Sequence, residues 1–190
     1  MIIGITGKKT AGKDILADYL IDNFRFTGYK FADPIKRIMA DVFLMTEEQV
    51  NGNEKEILDT RWGITSRQGQ QVVGTELLRD RFGEVLPAFG DMIGKDIWAM
   101  RFKYWYEMSA SQTDVVVSDL RFLNEERILK QMGAHIIRVE RNGLVSNDTH
   151  ASEMEMDYIT PEDTLYNDDS IASLELKMGL LYKKYLTDSN

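Results

Sequence analysis

One stretch near the start of the chain has the residue types and spacing for phosphate chemistry. The run Gly7-Lys8-Lys9-Thr10-Ala11-Gly12-Lys13 fits the pattern G-x-x-x-x-G-K. Glycines in such a loop let backbone N–H groups curl around phosphate oxygens, and the lysine reaches the β- and γ-phosphates. An apolar run from Met1 to Thr6 precedes it, and helical spacing from Lys13 to Phe24 follows it. This context predicts a phosphate-binding loop rather than an ordinary glycine-rich turn.

The residue after the loop lysine departs from the usual pattern. A Ser or Thr hydroxyl normally binds Mg²⁺ there, whereas this chain has Asp14. A carboxylate at this place could hold the metal directly or through water, or orient the phosphate acceptor. The alternative is a favourable acidic residue in the first turn of a helix.

A second acidic residue follows the most strand-like run of the chain, residues 115–118. In open α/β sheets, ligands bind outside the carboxyl ends of the strands, where Asp119 would lie. An acid there can bind Mg²⁺ or an acceptor sugar, and Arg121 could clamp phosphate charge. The alternative makes Asp119 a solvated strand end, Arg121 a surface residue and Asn124 a helix cap.

Short apolar runs alternate with helical patterns along the chain, which predicts an α/β protein with a parallel sheet flanked by helices. We expect one domain over residues 1–190, built around the phosphate-binding loop. Residues 46–110 read as an inserted, mostly helical region, and 141–163 as a mobile loop or lid. The other expected elements are strands at Tyr29–Phe31, His135–Glu140 and Thr164–Tyr166, and helices from Pro34 to Leu44, Asn124 to Met132 and Ser170 to Tyr185. Breaks in the inserted region are expected at Asn51-Gly52, Trp62-Gly63 and Pro87 to Gly90.

Composition excludes several classes of protein. The 190 residues carry a net charge of -8, which argues against a surface for polymeric nucleic acid. There are no cysteines and only two histidines, so disulfides, thiolate catalysis and Cys- or His-based metal sites are not expected. The longest uncharged stretch, residues 68–75, is far shorter than the roughly 20 residues that span a bilayer. No signal peptide is evident, so we expect a soluble protein of the cytoplasm.

Six ordered motifs resemble the phage-type family of deoxynucleoside monophosphate kinases, from Gly4 to about Met178. They are Gly12-Lys13-Asp14, the segment Phe31 to Lys36, the segment from Arg67 to Arg79 with Gln71 and Gly74-Thr75-Glu76, Ser118 to Glu125, His150 to Glu153, and Asn167 to Ser170. Three positions depart from the family pattern. Ala11 stands where Ser is common, Ile15 where Thr often follows the Asp, and Leu123 where Pro is frequent.

The resemblance implies ATP and Mg²⁺ as cofactors and a deoxynucleoside 5′-monophosphate as acceptor, in the host cytoplasm if the chain is phage-encoded. Lys13, Asp14, Asp119 and Arg121 would be catalytic. Lys9, Thr10, Arg141, Asn167 and Asp168 would contact ATP with the loop; Arg141 is a candidate lid residue, and Asn167-Asp168 would frame the adenine unless they form a plain turn. The candidates for acceptor binding are Lys36, Arg67, Gln71, Gly74, Thr75, Arg79, Trp98, Asp119, Arg121 and Glu125.

Structural alternatives stand beside these acceptor roles. Arginine forks match phosphate oxygens, which favours Arg67 and Arg79 as phosphate ligands. Lys36 could equally lie on a solvated helix face, Thr75 could cap a helix, and Trp98 could belong to the core.

Two other functions compete with this interpretation. A P-loop kinase for another small phosphorylated metabolite, such as phosphomevalonate or dephospho-coenzyme A, would share the phosphate loop. A nucleotide-sensing module would bind without turnover, but two acids beside a triphosphate suit metal-assisted transfer better. The sequence leaves open which bases are accepted, and whether the chain forms a homodimer.

Overall fold

The computed structural model describes residues 1–144 and 154–188, and its backbone separates into two compact units. The first unit comprises Met1–Lys30 and Lys103–Asn190, and the second comprises Phe31–Phe102. The inserted region expected at about 46–110 therefore has different bounds from the second unit.

The helices and strands are numbered along the chain. They are β1 (Ile2–Thr6), α1 (Lys13–Phe24), β2 (Thr27–Tyr29), α2 (Asp33–Phe43), α3 (Glu47–Val50), β3 (Leu58–Asp59), β4 (Ile64–Thr65), α4 (Ser66–Gln71), α5 (Phe82–Val85), α6 (Pro87–Met92), α7 (Ile97–Trp105), β5 (Val115–Val117), α8 (Leu123–Gln131), β6 (His135–Glu140), β7 (Asp163–Tyr166) and α9 (Ile171–Asp188). Two π-helical segments span Val72–Arg81 and Tyr106–Ala110, and 3₁₀ turns span Asn53–Glu56, Gly94–Asp96 and Met156–Tyr158.

The first unit contains a five-stranded sheet in the order β2-β5-β1-β6-β7. All four strand pairs are parallel. This confirms the predicted α/β class with a parallel sheet flanked by helices. The bounds of β6 and α1 are as predicted, whereas β2 begins two residues before the expected Tyr29 and ends at that residue.

Alternating residues of the central strands bury the two faces of the sheet. Ile3 and Ile5 of β1 are completely buried in a cluster with Leu16 of α1 and Met178 of α9, so these helices cover one face. On the opposite face, a Cβ at Gly4 would lie 3.1 Å from a methyl carbon of Leu129 in α8. Helices on both faces leave ligands access at the ends of the strands.

The second unit is mostly helical, as predicted for much of this region, but it also contains an antiparallel hairpin. Strands β3 and β4 pair Leu58 with Thr65 and Asp59 with Ile64. The expected break at Trp62-Gly63 is the turn of this hairpin. Arg61 in the turn donates to both carboxylate oxygens of Asp59, and these bonds hold the pKa of Asp59 well below its ordinary range.

Two further expectations about loops need correction. Pro87 does not begin a break but opens α6, because its fixed φ and missing N–H suit the first turn of a helix. The part of the predicted lid that follows residue 153 is held to the rest of the first unit by hydrogen bonds. Arg138 donates to the carbonyl oxygens of Met156 and Ile159 at 3.1 and 2.7 Å, and Thr160 N donates to Glu126. The remainder of that segment, 145–153, lies outside the described residues.

Candidate functional site

The segments that follow the five parallel strands lie at one edge of the first unit's sheet. Parallel strands place their carboxyl ends together, and this is where α/β folds bind ligands. Most of the predicted donor-side residues are therefore gathered at this edge, together with Lys30. The segments are Gly7–Gly12 after β1, Lys30 after β2, Ser118–Arg121 after β5, Arg141 after β6 and Asn167-Asp168 after β7.

The backbone of the phosphate loop depends on its glycines. Gly7 has a φ of 140°, and a Cβ there would lie 2.3 Å from the carbonyl oxygen of Val139, so no other residue fits. Gly12 has a φ of 116°, and Thr10 adopts a φ of 66° although it carries a branched side chain. Helix α1 begins directly after Gly12, and a helix N-terminus favours bound anions.

Lys13 lies across this loop. Its Nζ donates to the carbonyl oxygens of Gly7 at 2.5 Å and Lys8 at 2.9 Å. An ammonium group has three donors and keeps its charge while making these bonds. The loop therefore holds a cation against its own backbone, next to the amides of the first turn of α1, which is a suitable arrangement for phosphate oxygens.

Asp14 makes an ion pair that the sequence did not indicate. The Nζ of Lys30, the residue after β2, lies 2.6 Å from Asp14 Oδ1. The Asp14 side chain is 70% exposed, so the carboxylate is accessible to a ligand as well as to Lys30. The only sequence signal for Lys30 is its place as a basic residue at the carboxyl end of a strand.

The segment after β5 is fixed by a buried acid. Glu125 is 2% exposed, and its Oε2 accepts bonds from the backbone amides of Arg121 and Phe122, both at 3.0 Å. Burial raises the pKa of Glu125 to about 8, and the nearby Asp119 carboxylate adds to the rise, while the amide donors oppose it. So deep a side chain has no surface for a ligand, and the expectation that Glu125 contacts the acceptor does not fit its place.

Asp119 and Arg121 belong to this segment, and the backbone amide of Arg121 is one of the two that Glu125 anchors. Both side chains are partly buried, at the edge of the sheet that also carries the phosphate loop. The sequence predicted Asp119 at the carboxyl end of a strand, and it lies two residues after the end of β5. Their roles in catalysis stay predictions.

The loop after β7 contacts the phosphate loop and the end of β6. Asn167 donates from Nδ2 to the carbonyl oxygen of Ala11 at 2.8 Å. Asp168 accepts from the backbone and side-chain nitrogens of Asn142, both at 2.9 Å. Arg141 is exposed between these contacts. The predicted adenine contacts of Asn167 and Asp168 stay predictions, since both side chains already have partners within the protein.

The second unit carries the other predicted acceptor residues. Lys36 on α2 lies 3.5 Å from Asp33, and Arg67 on α4 lies 3.5 Å from Glu56. Gln71 ends α4 and is partly buried. Lys36 and Arg67 thus each have a carboxylate neighbour, and a bound phosphate dianion would have to displace it.

The π-helical segment Val72–Arg81 carries three of these residues, and all three are buried: Gly74, Thr75 and Arg79. Arg79 follows Gly74 by five residues and Thr75 by four, which places it about one turn further along a helix with i to i+5 hydrogen bonds. Arg79 is 8% exposed, and its Nη1 lies 3.3 Å from Asp80 Oδ1. Arg67 and Arg79 do not lie on one regular α-helix, because the helix widens to π-helical geometry at Val72.

Trp98 belongs to the interior of the second unit. It is 6% exposed, and its indole N–H donates to the carbonyl oxygen of Gly74 at 2.8 Å. The ring offers little surface for stacking on a base, so the core alternative describes its place. The bond fixes one turn of the π-helical segment.

The acidic residues at the sheet edge fit a magnesium ion better than a protein-only metal centre. Residues 1–144 and 154–188 contain no group of three or more His, Asp or Glu side chains that could hold a metal. Mg²⁺ is usually held by one or two carboxylates together with substrate phosphates and water. Asp14 and Asp119 each supply a carboxylate that could act as such a ligand. The motif His150 to Glu153 lies outside the described residues.

A parallel sheet with a G-x-x-x-x-G-K loop between β1 and α1 defines a nucleotide-binding fold of the P-loop type. Family comparison makes this more specific. The family model described as deoxynucleotide monophosphate kinase matches residues 1–81 and 46–178, and the chain belongs to that family. It is thus a nucleotide-binding phosphotransferase, for which the family implies ATP as phosphate donor.

Three relatives illustrate this similarity. A protein of Acanthamoeba polyphaga mimivirus, named "Putative deoxynucleotide monophosphate kinase", is 39% identical over 90% of both chains. The deoxynucleotide monophosphate kinase of Escherichia phage RB69 is 26% identical over 93% of this chain and 97% of its own. The dephospho-CoA kinase of Mycoplasma genitalium is 25% identical over 98% of this chain and 93% of its own. None of the helices within residues 1–144 and 154–188 combines the length and the apolar character that a membrane span requires.

Proposed function

We propose that this protein transfers the γ-phosphoryl group of ATP to a deoxynucleoside 5′-monophosphate and so makes the diphosphate. The observation that carries the proposal is the phosphate loop, in which Lys13 lies against the loop carbonyls and Asp14 follows at the start of α1. Family membership and the names of the viral relatives support the acceptor class.

On the donor side, this chain's residues position and neutralise phosphate charge. The loop amides and Lys13 bind the β- and γ-phosphates, where the lysine leaves its carbonyl partners for phosphate oxygens. Asp14 and Asp119 are the residues that would hold Mg²⁺, which offsets the phosphates' negative charge when it is bound. Arg121, whose backbone Glu125 anchors, adds positive charge for the transferring group.

On the acceptor side, the second unit supplies the contacts. Arg79 and Arg67 bind the monophosphate, because a guanidinium can give two parallel hydrogen bonds to phosphate oxygens. Lys36 adds charge, and Gln71 and Thr75 read the sugar or base. The π-helical geometry of Val72–Arg81 supports this assignment, since π-helical turns occur frequently at functional sites.

The test is a coupled ATP assay with every deoxy- and ribonucleoside monophosphate, and with dephospho-coenzyme A and phosphomevalonate as further acceptors. We expect ADP release that depends on an acceptor and is fastest with one or more deoxynucleoside monophosphates. Product analysis should show the matching diphosphate. ADP release without acceptor, or turnover only with one of the two other metabolites, would contradict the proposal.

A further inference from the structure

A hydrogen bond between distant parts of the chain braces the phosphate loop. Asn167, the first residue after β7, donates from Nδ2 to the carbonyl oxygen of Ala11, 156 residues earlier. A carbonyl oxygen only accepts, so the amide nitrogen of Asn167 must face the loop. Asn167 is 8% exposed, and a buried bond of this kind is shielded from competing water.

The asparagine is itself held in place by its surroundings. Its backbone amide donates to the carbonyl oxygen of Glu140 at 2.7 Å, and the next residue, Asp168, is bonded twice by Asn142. A Cβ at Gly12 would lie 2.7 Å from Asn167 Nδ2, so the amide packs directly against the loop backbone. The side chain is therefore a fixed support.

The bond determines the direction of a second group. The carbonyl of Ala11 and the N–H of Gly12 belong to one planar peptide unit and point in opposite directions. A donor that fixes the carbonyl therefore fixes the N–H on the other side of the same plane. Gly12 N–H is one of the amides that a phosphate-binding loop turns toward its anion.

We propose that Asn167 is a positioning residue that orients the Gly12 N–H of the phosphate loop toward bound phosphate. The proposal rests on the donor site proposed above. It assigns Asn167 to the phosphates and not to the adenine base.

The test compares three variants in binding titrations with a non-hydrolysable ATP analogue and with inorganic tripolyphosphate, which has no base. Asn167→Ala should lower the affinity for both ligands by about the same factor, roughly three- to tenfold for one lost hydrogen bond. Asn167→Asp should lower both affinities further. An ionised carboxylate cannot donate a hydrogen bond, and it repels both the Ala11 carbonyl oxygen and the phosphates. The matched control is Asn23→Ala, which removes an amide-to-carbonyl bond to Tyr19 within α1 and should change neither affinity.

Hydrogen exchange on the ligand-free proteins supplies a second measurement. Segment 7–13 should exchange faster in Asn167→Ala than in wild type or Asn23→Ala. Weakening confined to the ATP analogue would show a base contact and overturn the proposal. Unchanged affinities with a lower melting temperature would show a merely structural role and also overturn it. A wild-type protein that binds neither ligand would refute the proposed donor site, while the exchange comparison would still test the brace.

Discussion

The phosphate loop and the π-helical segment Val72–Arg81 both present groups suited to phosphate, but they are built in different ways. The loop relies on backbone: glycines at positive φ, a lysine bonded to loop carbonyls, and a carbonyl held by Asn167. The π-helical segment relies on buried side chains, with Arg79 beside Asp80 and Gly74 held by Trp98. Substitution of the loop lysine should therefore act on chemistry with little loss of stability, whereas substitutions of buried residues in the π-helical segment should act on both.

The largest effect is expected at the loop lysine. Lys13→Ala should abolish detectable transfer, because it removes the positive charge that Lys13 places at the loop carbonyls, while the melting temperature changes little. The coupled ATP assay and a thermal melt measure the two properties. Lys183→Ala on the exposed surface of α9 is the control and should keep full activity. More than about a tenth of wild-type activity in Lys13→Ala would contradict the assigned role.

The next effect concerns the acid after β5. Asp119→Asn should lower kcat about a hundredfold or more through lost transition-state electrostatics, and Arg121→Ala should be of comparable severity. Steady-state kinetics at saturating ATP and acceptor give the measurement. If only the melting temperature fell, Asp119 would be a strand end without a part in catalysis.

A smaller and more selective effect is expected at Arg79. Arg79→Ala should raise the KM of the acceptor about ten- to a hundredfold, since one charge-assisted contact contributes about 1.5–3 kcal/mol. ATP binding should change less than about threefold. Because Arg79 is buried beside Asp80, this variant should also lose stability, so Arg79→Lys is the informative partner and should recover part of the acceptor affinity. If Arg79→Ala weakened the binding of ATP and of the acceptor equally, Arg79 would not be specific to the acceptor. The contrast between the phosphate loop and the π-helical segment would then fail.

The last effect concerns stability and not activity: a pH dependence of the free energy of unfolding that arises from Glu125. Its pKa is raised to about 8 in the folded state, so the unfolded chain loses this proton at lower pH than the folded one. The free energy of unfolding should therefore fall as pH rises from about 4.5 to about 8, by at most about 1.4 kcal/mol per pH unit. Urea unfolding at several pH values should show a shallower fall in Glu125→Gln. The exposed control Glu84→Gln should keep the wild-type slope, and an unchanged slope in Glu125→Gln would contradict the assignment.

Sequence patterns predicted the first unit well because its signals are local. A buried strand and an amphipathic helix each show their period within a few residues, and the bounds of β6 and α1 followed from that. The hairpin of β3 and β4 was missed because two-residue strands show no alternation. The π-helical segment was missed because its period lies outside the two that sequence patterns test for.

The site itself was only partly predictable for a related reason. Motif spacing located Lys13, Asp14 and Asp119, since each follows a strand or begins a helix. Lys30 and the bond from Asn167 to Ala11 depend on which strands are neighbours, and strand order is not written in local sequence. The burial of Glu125 likewise depends on how α8 packs against the sheet, which the local sequence does not reveal.

Thr10 is a place where local backbone strain lowers the stability of the folded protein. A branched residue at a φ of 66° is strained by about 1–3 kcal/mol, and the rest of the loop must supply that energy. Asparagine tolerates the left-handed region better than threonine does, so position 10 is a natural first choice for engineering a more durable protein. The gain in shelf life would have to be weighed against turnover, because stored strain at a ligand-binding loop often serves the reaction.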